Sequence, residues 1–190
     1  MEVSFSNVTF SYESNKIFDD FSCCLSSNII SAIIGPNGSG KSTFLDLIDG
    51  LLIPVSGSIK IGDVNISSNV RKKIGYLFQN PHEQIFNSTI YKEIEFGLKC
   101  FKCDDIDNRI KDSISLVGLD ESFLSLNPYK ISNGERRKVA LASILCYDPE
   151  VLIFDEPTVG LDNRSKVEFM KLLKRLKNEF NKTIIIVMII

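Results

Sequence analysis

The 190-residue sequence has no tryptophan, a single histidine, His82, and an odd number of cysteines, five. The scarcity of histidine weighs against a zinc centre, which needs about four nitrogen or sulfur ligands. Cys100 and Cys103 form a C-x-x-C, but no second pair accompanies them. Cys23 and Cys24 are neighbours on a predicted strand, where consecutive side chains point to opposite faces. Ordinary reduced thiols are therefore expected. An excess of one charge is also lacking: 22 Lys and Arg stand against 24 Asp and Glu, a formal net charge of −2. Such a balance gives no general pull toward nucleic acid or anionic lipid, so any phosphate site must be local. No apolar run approaches the roughly 20 residues that span a bilayer. Residues 1–10 have neither the basic stretch nor the unbroken apolar run of a secretory signal, and a cytosolic chain is expected. There is no internal repeat, linker or low-complexity tract. With 44% hydrophobic residues, one compact core and a single domain over residues 1–190 are predicted.

What is present reads as an α/β chain. Residues 3–12 alternate, with Val8, Phe10 and Tyr12 on one face, and residues 17–25 follow the polar turn Glu13-Ser14-Asn15; these are predicted antiparallel strands. Residues 29–34 form a nearly continuous apolar run that ends in a glycine-rich turn, the pattern of a buried strand in a parallel sheet. Phe44, Leu45, Leu47, Ile48 and Leu51 then fall at helical spacing, bounded by Gly50 and Pro54. Short strands are predicted at 58–61 and 74–78, and a mostly helical stretch at 90–145, in which Ile106, Ile110, Ile114 and Val117 mark one amphipathic helix. A buried strand at 151–154 follows, then a helix at 167–180 with Phe169, Leu172, Leu173 and Leu176 facing inward, and a closing strand at 183–190. Its apolar stretch 184–190 is an aggregation hazard unless paired inside a sheet. The architecture predicted is a mostly parallel sheet, an antiparallel β portion in front, and an inserted helical subdomain at about 88–148.

Gly35-Pro36-Asn37-Gly38-Ser39-Gly40-Lys41-Ser42 fits G-x-x-x-x-G-K-[ST] and stands between a predicted strand and a predicted helix, the context that confirms the pattern as a P-loop. The chemistry explains the spacing. Glycines let backbone N–H groups turn inward around phosphate oxygens, the helix N-terminus adds positive potential, Lys41 reaches the terminal phosphates, and Ser42 offers a hydroxyl to Mg²⁺. A second half is supplied by Val151-Leu152-Ile153-Phe154-Asp155-Glu156, where four apolar residues carry a carboxylate pair to the end of a strand. Open α/β sheets bind ligands there. Asp155 is expected in the Mg²⁺ coordination shell, and Glu156 is expected to orient or polarise the attacking water, because such hydrolysis rests mainly on positioning.

Ile131-Ser132-Asn133-Gly134-Glu135-Arg136-Arg137, shortly before Asp155, resembles the ABC signature, normally Leu-Ser-Gly-Gly-Gln. Ser132 and Glu135 also form a capping-box pattern at a helix start. The resemblance, which covers essentially the whole chain, implies an ABC-type ATPase in which this segment reaches the γ-phosphate held by a second ABC ATPase subunit, the same or a related chain. It places ATP against Gly35 to Ser42 and Thr43, with Tyr12 stacked on adenine, Ser132 and Gly134 on the phosphate, and Asp162 of Gly160-Leu161-Asp162 in a D-loop. Lys41 and Gln79 join Glu156 as catalytic residues, and Gln79, a Q-loop glutamine, joins Ser42 and Asp155 around Mg²⁺. Asn133 departs from the first signature glycine and Glu135 from the glutamine; asparagine tolerates left-handed backbone angles, so a weakened or altered closure is expected rather than a lost signature.

Residues 76–86 and 91–97 further resemble ATPases of energy-coupling factor importers and the related cobalt and nickel systems. That implies a membrane-embedded coupling subunit, a separate substrate-binding subunit, uptake of a vitamin or transition-metal ion, a peripheral position on the cytoplasmic face of the membrane, and no nucleic-acid partner. His82 is expected to be a solvated loop residue. The family's last core strand normally ends in a Thr-His-Asp-like segment; here the histidine position falls on Ile189, whose apolar side chain cannot hydrogen-bond to phosphate. Impaired hydrolysis is expected, and a truncated, frameshifted or incompletely sequenced gene is the expected origin of this ending.

Overall fold

The computed structural model describes residues 1–66 and 68–189. Ile190 is outside that description, as are the side chains of Ser68, Asn69, Pro81 and His82. The chain divides into two compact units: residues 1–76, 150–156 and 173–190 in one, and 77–149 with 157–172 in the other.

The first unit contains two sheets. In the antiparallel one, β1 (Val3–Tyr12) pairs with β2 (Asn15–Leu25) on one side and with β4 (Ser56–Ile61) on the other, and the two-residue β5 (Val64–Asn65) adds to β4. A bulge interrupts β1, because the register with both neighbours shifts after Phe5 and Ser6. At its centre Asn7 takes a φ of 50°. The extra residue turns Val3 and Phe5, at odd positions, and Val8 and Phe10, at even ones, toward the same core, and all four are buried. The alternation expected over residues 3–12 is therefore broken at the bulge, and Tyr12, expected on the face of Val8 and Phe10, is 45% exposed. Opposite the bulge, Gly57 has φ +86°, and a Cβ there would lie 2.3 Å from the Asn7 carbonyl oxygen. No side chain fits.

The second sheet has the order β3-β8-β7-β6, with β3 (Ile30–Gly35), β8 (Thr183–Ile189), β7 (Val151–Asp155) and β6 (Ile74–Leu77). The β3–β8 and β7–β8 pairs are parallel. β8 is therefore paired on both edges, and residues 184–187 are buried, which removes the hazard attached to a free apolar strand. Full burial of an isoleucine such as Ile153 or Ile185 stabilises by roughly 1.5–3 kcal/mol. One expectation is corrected. β3 is an edge strand, not a fully buried one: Ile34 is 52% and Ile29 39% exposed.

Between β3 and β4 lies α1 (Lys41–Asp49), which buries Phe44, Leu45, Leu47 and Ile48. Phe44 stacks on Phe5 at 4.5 Å between ring centroids, tying this helix to β1. Gly50 ends the helix at φ 72°, with Leu51 N–H donating back to the Asp46 carbonyl. The reversal turns Leu51 outward, so it is exposed rather than part of the helical face as expected from its spacing.

The second unit is helical. The predicted stretch 90–145 resolves into α3 (Ile90–Cys100), α4 (Ile106–Leu116), two 3₁₀ turns (Glu121–Ser125 and Pro128–Lys130) and α5 (Asn133–Leu145), preceded by the short α2 (Pro81–Gln84). The backbone at His82 is therefore helical, and the expectation of a solvated side chain there concerns an undescribed position. Ile90, Ile94 and Leu98 of α3 and Ile110 and Ile114 of α4 are buried, both helices packing on α5. Glu93 is 4% exposed, yet its carboxylate accepts hydrogen bonds from Phe86 N, Asn87 N and Asn87 Nδ2, which satisfies its charge and pins the turn before α3. The last helix, α6 (Asn163–Phe180), starts in this unit and ends in the first. Among the described residues no helix is long and apolar enough to cross a membrane.

Candidate functional site

In the first unit, the ends of the parallel strands bring the predicted residues together. Gly35, the last residue of β3, pairs with Ile189 of β8, and Asp155, the last of β7, pairs with Val187, two positions earlier on β8. The loop after Gly35 is shaped by its glycines. Gly38 and Gly40 take φ of +79° and +88°, and a Cβ on Gly35 would lie 2.8 Å from Ser39 Oγ. Pro36, Asn37, Gly38, Ser39 and Ser42 are exposed, whereas Thr43 is buried at the helix start.

Gly40 is the N-cap of α1. It supplies no side-chain cap, and no acidic residue stands in the first helical turn. The N–H groups of that turn are thus left to an external acceptor, and the dipole favours an anion. Lys41 bends back over the loop, donating from Nζ to the carbonyls of Gly35 at 2.8 Å and Pro36 at 2.7 Å. The tip of Tyr12, a 45% exposed residue, comes to the same helix start, where Thr43 Oγ1 donates to its hydroxyl at 3.5 Å. The tyrosine ring rests edge-on against Phe10.

Carboxylates crowd the other side. Asp155 is held above the usual carboxylate range by burial first, then by Glu156, with Asp46 adding to the effect; a hydrogen bond from Tyr76 and the charge of Lys41 oppose it. Glu156 sits at φ 45° and donates its N–H to the Val187 carbonyl at 3.1 Å. A left-handed glutamate is a strained choice that a surrounding structure must enforce. Among the described residues no group of three or more His, Cys, Asp or Glu forms a metal cage. Ser42, exposed at the start of α1, and Asp155, at the end of β7, are oxygen donors of the kind Mg²⁺ takes, an ion that needs few protein ligands and completes its shell with phosphate oxygens and water.

The second unit carries the other predicted residues. Ser132 caps α5 in a full capping box: its N–H and Oγ donate to Glu135 Oε2 at 2.8 and 2.6 Å, and Glu135 N–H donates to Ser132 Oγ at 3.3 Å. These bonds from Ser132 hold the half-buried Glu135 carboxyl below its usual range. Asn133 is the first helical residue of α5 and is not left-handed, so the conformational tolerance expected to matter there is not used; its Oδ1 accepts from Arg136 Nη1 at 3.2 Å. Around Gly134 a Cβ would meet open space. Asp162 is exposed and accepts from Ser165 N–H at 2.7 Å, capping α6. Gln79 is exposed just after β6, and its carbonyl accepts from Arg137 Nη2 at 3.3 Å.

Three residues at these positions escaped the sequence reading: Tyr76, which bonds to Asp155; Asp46, which crowds it; and Arg137. Tyr76 and Arg137 lay inside the segments that carried the resemblance, but neither was assigned a role, and Asp46 left no signal.

Comparison with known proteins places this geometry. The sequence pattern of the family described as ABC transporter matches residues 18–159. The energy-coupling factor transporter ATP-binding protein EcfA3 of Oenococcus oeni is 43% identical over 98% of this chain and 70% of its own length. EcfA2 of Enterococcus faecalis is 38% identical over the same shares. Among solved structures, cbiO1 from Clostridium perfringens, part of the ABC transporter complex cbiONQ, superimposes with a TM-score of 0.90 at 31% identity, over 99% of this chain and 78% of that one. The ATP-binding cassette MJ0796, dimeric and bound to ADP and Pi after hydrolysis, gives 0.84 at 28% identity, over 97% and 87%.

Proposed function

The chain belongs to the ABC transporter family and to its energy-coupling factor ATP-binding proteins, and from that premise we propose that it is the ATP-hydrolysing subunit of an importer, coupling nucleotide-driven dimer closure to uptake of a vitamin or a transition-metal ion. The observation that carries this reading is the start of α1, without a cap or an acidic residue, behind a loop that two left-handed glycines hold open.

In the proposed arrangement the backbone from Gly35 to Gly40, with Ser42 and Thr43, cradles the phosphates, and Tyr12 stacks on the adenine. Lys41 leaves the carbonyls of Gly35 and Pro36 for the terminal phosphates, exchanging two neutral acceptors for a charged one. Bound through Ser42 and Asp155, Mg²⁺ would neutralise charge on the phosphates. Glu156 orients the attacking water and accepts its proton, its backbone already held in a strained conformation by β8. Ser132, Gly134 and Asp162 face the nucleotide of a second ABC ATPase subunit, the same or a related chain. A membrane-embedded coupling subunit and a separate substrate-binding subunit complete the assembly at the cytoplasmic face of the membrane; no nucleic acid is involved. Residues 1–190 act in it as one ATP-binding domain.

Ile189 favours a second reading. It pairs with Gly35 at the mouth of the loop and is 44% exposed, and by the resemblance it stands at the family's histidine position with an apolar side chain. On that reading the chain closes on ATP without turnover. Mg·ATP binding and phosphate release by the purified chain, beside Glu156→Gln, separate the two. Turnover lost in the variant supports the motor; binding without turnover in either supports the clamp, and a chain that folds but binds no ATP sinks both.

A further inference from the structure

We propose that Arg137 is a positioning residue that fixes the backbone at Gln79, Pro157 and Val159 to the start of the signature helix α5, so that these segments move with that helix. The inference rests on the ATPase reading above for its consequence in catalysis, although the contacts stand by themselves.

Arg137 lies in the second turn of α5, one residue beyond Arg136, which is 5% exposed. Arg136 anchors the helix start to the segment before it, donating to the carbonyls of Pro128 at 2.8 Å and Ile131 at 3.2 Å. Arg137 points to other segments. Its Nη1 donates to the Pro157 carbonyl, and its Nη2 to the carbonyls of Gln79 at 3.3 Å and Val159 at 3.2 Å. The acceptors are 20, 58 and 22 residues away along the chain, and all of them sit in bends or turns outside any strand or helix. Main-chain carbonyls in such segments lie outside the ladders of strands and helices, so a side-chain donor contributes directly to how they are held.

The residue type fits the task. A guanidinium carries five N–H donors in a rigid planar fork and keeps its charge when partly buried, whereas an ammonium is a point donor on a flexible stem. The three carbonyls flank the positions assigned to chemistry: Gln79 itself, Pro157 directly after Glu156, and Val159 just before Gly160-Leu161-Asp162. A displacement of α5, the helix whose first turn carries Ser132 and Gly134, would be transmitted through one side chain to all three.

The test compares Arg137→Met, which keeps the apolar stem but no donor, and Arg137→Lys, which keeps the charge but loses the fork, with the parent chain. Amide hydrogen exchange is followed by mass spectrometry, and steady-state ATP turnover is measured alongside. In both variants exchange is expected to rise at least fivefold in peptides covering 78–82 and 156–162, with no change in 183–189. The kcat falls at least tenfold while KM for ATP stays within twofold. Exchange within twofold of the parent in those peptides, a rise spread equally into 183–189, or a lysine that restores both peptides and kcat would overturn the proposal. If parent and Glu156→Gln hydrolyse ATP equally, the ATPase reading fails instead, and the exchange measurement still decides the role of Arg137.

Discussion

Asp49, on the last turn of α1, offers a quantitative check on the electrostatics of the first unit. Burial pushes its carboxyl from an ordinary value near 3.8 up to about 6, with Asp46 adding to the effect and Arg71 opposing it. The folded chain therefore holds this proton more tightly than the unfolded chain does. The stability it contributes is complete below pH 3.8, falls as the pH rises toward 6, and is absent above that. Each pH unit between the two values corresponds to ~1.4 kcal/mol, so the gap of roughly two sets a ceiling of about 3 kcal/mol. Asp49 is half-buried rather than sealed, and solvent screening reduces the expected effect to about 1–2 kcal/mol. Asp49→Asn removes the titration while keeping the shape. In urea unfolding the variant should match the parent near pH 4 and exceed it above pH 6.5. With a slope of about 2 kcal/mol/M, the midpoint should then be higher by roughly 0.5–1 M. Arg71→Gln should enlarge the parent's own loss between pH 4 and 7. A midpoint difference between Asp49→Asn and parent that is constant with pH would refute the reasoning, since a packing effect does not titrate.

Gly57→Ala forces a Cβ to within 2.3 Å of the Asn7 carbonyl oxygen at φ +86° and should cost about 2–4 kcal/mol in urea unfolding, by breaking the β1 bulge. Tyr76→Phe keeps the ring that packs on the core but loses the bond to Asp155, and should lower stability by about 1 kcal/mol in the same assay; a variant as stable as the parent would mean the bond contributes nothing. Ile189→His places a hydrogen-bonding ring beside Gly35 and should raise ATP turnover at least tenfold, as read by phosphate release, whereas unchanged turnover would show that Ile189 is not what limits hydrolysis.

Legibility in the sequence followed the range of the cause. The glycine-rich loop before α1 was readable because its glycines answer to a backbone need within eight residues, and the structure gives Gly38 and Gly40 the left-handed angles that need implies. The ends of α1 and the cap of α5 were readable for the same reason: Gly50, and Ser132 with Glu135, act within one helical turn. Reading failed where a neighbour distant in sequence decides. Residues 29–34 look like a buried strand, but β3 lies at a sheet edge and exposes Ile34. Leu51 was misread for a local reason: it keeps the helical spacing, but the chain has already turned at Gly50.

The α/β class, the family, the glycine-rich loop before α1 and the carboxylate pair after β7 could be read from the chain alone, because periodicity, turn chemistry and motif spacing are local properties. Tertiary structure alone decided which charges crowd Asp155, that Ile189 stands beside Gly35, and that one arginine gathers three loop carbonyls. Those facts depend on strand register and helix packing between residues tens to more than a hundred positions apart, and no local pattern encodes them.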